Sequence, residues 1–356
     1  MNPNFEKYKD KGITGLANLG NTCFVNSCIQ LLSHTYELND FLSLQTYKKK
    51  LNNKYESALL LEWDNLRTLM WSENCTISPG KFIKTIQRLA QIKEIPLFTG
   101  SAQNDLPEFL LFVIDCFHVS LAREVNMSIS GESENNTDAL AIKCYKMIQN
   151  MYAKEYSEIW NMFYGIHVSQ LLSLEGGDGV GLGAVLGESP EPYFMVNLSI
   201  PSTTKSPTLY DCFDLYITGE IMEGENAWFN DKTQCKESVR KRLIFWSLPN
   251  ILAIDLKRFN ANNRKNQILV TFPLENLDLS KYVIGYKKES YVYDLYGICN
   301  HSGGTYGGHY TSFIKNANGK WYEYNDTFVK EVVDTDKLIS TQAYCFFYRK
   351  KQFNNI

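Results

Sequence analysis

Two residues far apart in the chain, Cys23 and His309, have the types and settings that nucleophilic acyl transfer needs. Cys23 lies in the segment from Gly15 to Ser27 (GLANLGNTCFVNS), directly after Gly20-Asn21-Thr22. There the apolar residues Phe24, Val25, Cys28, Ile29, Leu31 and Leu32 begin to recur at helical spacing, with Asn21 or Thr22 suited to cap the helix. A helix N-terminus offers unpaired backbone N–H groups and a positive dipole end, which favour thiolate over thiol. The Cys23 N–H can also face an oxyanion forming on an attacked carbonyl, and Asn18 can add its side-chain amide. Burial in a core is the commoner fate of cysteine. Cys28 reads that way, but a core thiol does not need the glycines and amides that surround Cys23.

A cysteine nucleophile needs a base, and the chain has five histidines. His34 and His118 fall on helical stretches, and His167 precedes a strand without notable polar neighbours. His301 and His309 remain, in the segment NHSGGTYGGHY from Asn300 to Tyr310. Its four glycines predict a mobile loop able to close over an extended substrate, with Gly307 and Gly308 permitting close backbone approach. His309 adjoins a strand predicted from Tyr310 to Ile314, which would hold its imidazole on a rigid element. The base in turn needs an orienter. The strand-like Trp321-Tyr-Glu-Tyr ends in Asn325-Asp326, and antiparallel pairing would bring either residue beside His309. Both residues also suit a plain turn.

The elements that must position these groups divide the chain. Helical periodicity covers the segment after Thr22, then Tyr55–Met70, Leu106–Leu121 and, beyond a polar loop at Glu132–Asp138, Ala139 to about Phe163. Gly176–Gly187 is a glycine-rich connection without the Lys-Ser/Thr of a phosphate-binding loop. From Pro192 onward short β-type runs dominate: Tyr193–Ile200, Leu243–Trp246, Ile251–Leu256, Ile268–Phe272, Tyr291–Cys299, Tyr310–Ile314, Trp321–Tyr324 and Tyr344–Arg349. A helical lobe followed by a strand-rich lobe is an α+β pattern.

Charge narrows the function classes. With 36 basic and 39 acidic residues, the net charge of -3 leaves no basic footprint for nucleic acid. No apolar run is long enough for a membrane span, and the N-terminus has no signal-like segment. Nine cysteines, an odd number without framework spacing, fit reduced thiols in the cytosol or nucleus.

The segments GLANLGNTCFVNS and YGICNHSGGTYGGHYTSFI, followed by WYEYND, resemble the Cys and His boxes of the ubiquitin-specific proteases. FTGSAQNDLPEFLL (Phe98–Leu111), LPNILAIDLKRF and VTFPLENLDLSKY resemble intermediate segments of that family, so the likeness runs from about Gly12 to Tyr348. It implies a papain-like cysteine peptidase fold with a helical thumb, an antiparallel palm sheet and β-stranded fingers. One catalytic domain is expected over 12–349, with the thumb at about 12–165, the fingers and part of the palm at 166–250, and the palm at 251–349. Residues 1–11 and 350–356 would be tails. The resemblance makes Cys23 the nucleophile, His309 the general base, Asn325 the third triad member and Asn18 the oxyanion amide. Asp326 would support the oxyanion site or the histidine. Asp105 and Glu108 would grip arginines in ubiquitin's C-terminal tail, and Gly307, Gly308 and Tyr310 would line its path.

Many family members carry two Cys-x-x-Cys pairs that bind structural zinc. Here His167–Glu175 has no cysteine, and Cys235 has no Cys-x-x-Cys partner, so four ligands are lacking. The expectation is no metal and no cofactor, with fingers held by strand pairing. The acidic run Asp211–Glu225 reads as a solvated strand edge or a face for a basic surface of ubiquitin. The expected activity is hydrolysis after the Gly-Gly terminus of ubiquitin by a monomer. Alternatives are a peptidase for another Gly-Gly-ending modifier and a non-catalytic ubiquitin-binding scaffold.

Overall fold

The computed structural model describes residues 3–174, 183–260, 262, 264–304 and 307–351. In the N-terminal lobe a short strand, β1 (Gly15–Leu16), leads to α1 (Cys23–Ser33) and α2 (Tyr36–Ser43). Then come α3 (Glu56–Met70), β2 (Thr76–Ile77), α4 (Gly80–Ile92), α5 (Leu106–Leu121), α6 (Asn136–Tyr152) and α7 (Glu158–Phe163). Every residue of α1 is buried, polar Asn26, Ser27, Gln30 and Ser33 included. A helix with no solvated face belongs at the centre of a lobe, and α1 is wedged between α5 and the main sheet. The helical stretch expected from Ala139 to Phe163 is broken: Ser157 caps a separate α7, its side chain accepting from the Trp160 N–H.

The fingers start with β3 (Gly165–Ser173) and β4 (Val185–Tyr193). The chain then passes through β5 (Met195–Leu198), α8 (Leu209–Thr218), β6 (Glu220–Met222), the hairpin β7 (Trp228–Asn230) and β8 (Cys235–Glu237), and β9 (Val239–Ser247). Strands β4-β3-β9-β6 form one sheet. The palm adds β10 (Ile251–Leu256), β11 (Leu277–Asp278), β12 (Val292–Gly304), β13 (Gly307–Lys315), β14 (Trp321–Asn325), β15 (Phe328–Val332) and β16 (Ala343–Lys350). Its order is β15-β14-β13-β12-β16-β10-β5, with β11 on β12. All these pairs are antiparallel except β10–β5, which is parallel.

The palm separates two cores. Ile251 and Ala253 of β10 face the helical lobe, while Leu252, Ile254 and Leu256 face the other side with α8, the alternation a strand imposes. The α+β class stands, and several details differ from the sequence expectations. Residues 3–8 form a 3-10 helix rather than a loose tail, with Tyr8 stacked on Tyr36 at 4.4 Å and its hydroxyl donating to Asp40. Arg349 lies over the rings of Phe5, Tyr36 and Tyr296 at 4.3–4.8 Å and pairs with Glu37 at 2.7 Å. Lys350, assigned to the other tail, is a buried residue of β16.

Ile268–Phe272 forms no strand, only an isolated bridge from Thr271 to Thr208. The acidic run belongs mainly to α8, whose capping box joins Thr208 and Asp211, and only Glu220–Met222 is strand. Of the glycine-rich connection, 176–182 lies outside the described residues and Val185–Gly187 already belongs to β4. His167 lies inside β3, stacked on Tyr193 and 3.7 Å from Glu191, so it does have a polar neighbour. Among the described residues no group of three His, Cys, Asp or Glu side chains could hold a metal ion, and no helix is long and apolar enough to cross a membrane.

Candidate active site

Cys23 is the first residue of α1, after Thr22 at the N-cap. The hydroxyl of Thr22 accepts from the Leu19 N–H at 2.9 Å instead of capping the helix. Asn18 does the closing: its Oδ1 accepts from the N–H groups of Gly20 at 3.0 Å and Thr22 at 3.2 Å. Its Nδ2 donates to Asp326 Oδ2 at 2.9 Å, which fixes the amide orientation and leaves one N–H of the same nitrogen free.

Asp326 opens the two-residue connection between β14 and β15 with a φ of 50°. Its second oxygen accepts from Asn26 of α1 at 2.7 Å, and its carbonyl accepts from the Leu16 N–H at 2.8 Å. Gly15 must be glycine for this approach, since a Cβ there would lie 2.3 Å from the Thr327 carbonyl oxygen. Of the two roles expected for Asp326, its hydrogen bonds serve the oxyanion side and not the histidine. Asn26 is the participant that sequence reading missed; its signal was an amide on an otherwise apolar helix face.

His309 lies in β13, and its Nε2 meets Asn325 Oδ1 at 2.8 Å. The choice left open between Asn325 and Asp326 thus falls on Asn325. With Nε2–H donating to the amide oxygen, Nδ1 is the nitrogen left to exchange a proton with a substrate or thiol. His301 is excluded as the base. It is buried among Phe259, Tyr310 and Tyr344, and burial pulls its pKa down to about 4.

The expected mobile loop is mostly strand: Asn300–Gly304 belong to β12 and Gly307–Tyr310 to β13, while residues 305 and 306 lie outside the described set. His309 is therefore inside its strand and does not merely precede it. Gly308 sits where a Cβ would come within 2.3 Å of the His301 Nε2.

Cys23 and β13 meet directly. A backbone hydrogen bond from Tyr310 reaches the thiol, and with those from Phe24 and Cys23 itself it favours the thiolate. Burial is the larger effect and pushes the Cys23 pKa up, with Asp326 adding to the rise. The helix N-terminus alone therefore does not give the depressed thiol pKa expected from sequence. Gln103, a second missed residue, clamps the two lobes. Its Nε2 donates to the Gly308 carbonyl at 2.7 Å and lies 3.5 Å from Cys23 Sγ, while its Oε1 accepts from the Gly308 N–H at 3.1 Å.

A groove of about 700 Å³ runs up to this point, lined by Asn21, Gln103, Asp105, Gly307, Gly308 and Tyr310 among others. Both hydroxyls of Tyr310 and Tyr344 donate to Asp105, at 3.0–3.2 Å. Burial raises the Asp105 pKa, the two hydroxyls oppose that, and Glu108 adds to it. Glu108 itself is exposed in the first turn of α5. Beneath Asp105, Asp255 of β10 is buried with one oxygen unpartnered, and burial followed by the charge of Asp105 lifts its pKa to about 7.

A thiol, an amide-oriented imidazole and a fixed side-chain amide at the head of a groove define a papain-like cysteine hydrolase constellation. Residues 14–348 match the family described as ubiquitin carboxyl-terminal hydrolase, and the chain belongs to that family. It is 33% identical over 357 residues to ubiquitin carboxyl-terminal hydrolase 2 of Bos taurus, covering 95% of this chain and 55% of the relative. With ubiquitin carboxyl-terminal hydrolase Usp2 of Drosophila melanogaster it shares 32% identity, covering 96% of this chain and 35% of the relative. The chain thus spans roughly a third to a half of the length of these relatives. The fold is also that of a SAGA DUB module, Ubp8/Sgf11/Sus1/Sgf73, solved bound to monoubiquitin (TM-score 0.72, 22% identity, 99% of this chain and 72% of that one).

Proposed function

We propose that this chain is a cysteine-type deubiquitinase that hydrolyses the isopeptide or peptide bond following the C-terminal Gly-Gly of ubiquitin. The observation that carries the reading is the joining of two distant segments: His309 is oriented by Asn325 while the adjacent Asp326 fixes Asn18 beside Cys23. A binding scaffold has no need of both.

Ubiquitin's tail enters the groove between Gln103–Asp105 and Gly307–Tyr310, where the close approach at Gly308 favours a substrate without side chains. Asp105 and Glu108 at the start of α5 supply negative charge for basic residues upstream in the tail. The Cys23 proton passes to His309, and Sγ attacks the glycine carbonyl. The Cys23 N–H and the free N–H of Asn18 receive the oxyanion, each donor contributing on the order of 2.7–4 kcal/mol. As the carbon–nitrogen bond breaks, His309 returns the proton to the leaving amine. Water, deprotonated by His309, then hydrolyses the thioester and regenerates the thiol. The raised thiol pKa gives a neutral resting pair, so Cys23 ionises as it is used.

Residues 12–349 form the catalytic domain in this reading, with residues 3–8 packed on it as an added strap. It acts as a monomer on ubiquitinated proteins in a reducing compartment, cytosol or nucleus, consistent with the exposed thiols of Cys75 and Cys235. Turnover of ubiquitin carrying a C-terminal fluorophore, abolished by Cys23→Ala, tests the reading. A silent wild type that still binds ubiquitin would make it a scaffold, and faster turnover of a different Gly-Gly-ending modifier in the same assay would reassign the substrate.

A further inference from the structure

The connection between β14 and β15 puts Asn325 directly opposite Phe328 in the strand register. Opposed residues of an antiparallel pair share a face, with Cβ atoms about 4.5–5.5 Å apart. Asn325 projects on that face to meet His309, so Phe328 stands on the same face, beside the base and its orienter. The next pair along it is Glu323 opposite Lys330, joined at 2.9 Å.

Phe328 is 77% exposed, whereas its neighbour Val329 faces inward, opposite Tyr324, against the core. Strand alternation alone would allow any polar residue at this outward position. The turn that carries Phe328 is also fixed in place, because Gly15 packs on the Thr327 carbonyl and Leu16 donates to Asp326.

The chemistry gives this exposed ring a neighbour. The acyl side of the scissile bond occupies the groove, which contains no residue of β14 or β15. The leaving nitrogen must lie at His309 to receive its proton, hence toward the side where Asn325 and Phe328 stand. In acylation the Sγ–C bond forms, the C–N bond breaks, and the proton that His309 took from Cys23 goes to nitrogen, releasing a neutral lysine amine. Behind that nitrogen come four methylenes, an apolar stem that needs an apolar wall.

We propose that Phe328 is the acceptor-side specificity residue, its ring receiving the aliphatic stem of the lysine to which ubiquitin is isopeptide-linked. The Glu323–Lys330 pair beyond it would face the polar backbone of the acceptor. This inference rests on the deubiquitinase reading above.

Two substrates with the same ubiquitin acyl group test it: a peptide joined through a lysine Nε, and the ethyl ester, whose leaving group is too short to reach β15. Phe328→Ala is expected to lower kcat/KM for the isopeptide roughly tenfold, the worth of about two buried methylenes, while sparing the ester. Phe328→Leu should restore most of the isopeptide rate. Replacing the linking lysine by the shorter 2,3-diaminopropionate should cost wild type a similar factor and cost Phe328→Ala little. Equal losses on both substrates would overturn the proposal, because Phe328 would then act through His309 and Asn325. Unchanged rates on both would overturn it as well. Wild type inert toward both substrates would remove the deubiquitinase reading and this inference with it, whereas an active ester assay with an indifferent Phe328 removes only the inference.

Discussion

The catalytic cleft and the fingers are held together in different ways. In the cleft, side chains from distant segments bind one another in specific pairs: Asn18 and Asn26 with Asp326, His309 with Asn325, Gln103 with Gly308. In the fingers the partners are mostly backbone: β3 pairs with β4 on one side and β9 on the other along nearly its whole length. Side-chain links such as Gln170–Glu188 and Lys143–Glu188 sit at its partly exposed surface. A ladder of backbone bonds tolerates substitution, and a buried polar network does not. The cleft is specified residue by residue, the fingers by strand pattern.

Asp326→Ala should break the cleft with the largest effect. Losing the carboxylate releases Asn18 and leaves Asn26 unpaired inside α1, and kcat on a ubiquitin fluorophore conjugate is expected to fall about 10²–10³-fold, as for removal of one oxyanion donor. The same change removes a negative charge that raises the Cys23 pKa. The pH profile of Cys23 alkylation by iodoacetamide should therefore move to lower pH as activity is lost.

Asp255→Asn probes the palm beneath the groove and should change stability more than rate. The folded-state pKa of about 7 lies above the ordinary 3.8, so the protonated carboxyl is the form the fold accepts. Wild type then loses stability relative to the variant as pH rises from about 4 to 7, with no further loss above that. The full gap is up to about 4 kcal/mol, and thermal melts at pH 4.5, 6 and 8 would show it widening and then levelling.

The smallest effect is expected in the fingers. Cys235→Ser, and treatment of wild type with a strong zinc chelator, should each shift stability by less than about 0.5 kcal/mol and leave turnover unchanged. A drop in the melting temperature on chelation would show that the fingers do depend on metal.

The same contrast explains what could be read from sequence. Cys23, His309 and Asn18 stand in segments whose glycines and amides have few other uses, and α3, α5 and β10 follow from apolar spacing nearly to the residue. Gln103 was hidden because a glutamine in a polar stretch advertises nothing until Gly308 is placed opposite it. Asp326 could be located but not assigned, since its partners lie about 300 residues away. The raised Cys23 pKa was equally out of reach: local sequence shows the helix start, whereas desolvation depends on everything packed around it. In the fingers, the acidic run was misread because Thr208 and Asp211 turn its beginning into a capped helix.

The bond between Asn18 and Asp326 spans 308 residues of chain. At about 5–20 residues per second of synthesis, roughly 15–60 s separate the appearance of the two partners at the ribosome. Throughout that interval the nucleophile already exists, while the strands bearing its base and the anchor of its oxyanion amide do not. A growing or prematurely ended chain therefore carries a thiol without a competent peptidase, and hydrolytic power arrives only when the last part of the palm closes over the first helix.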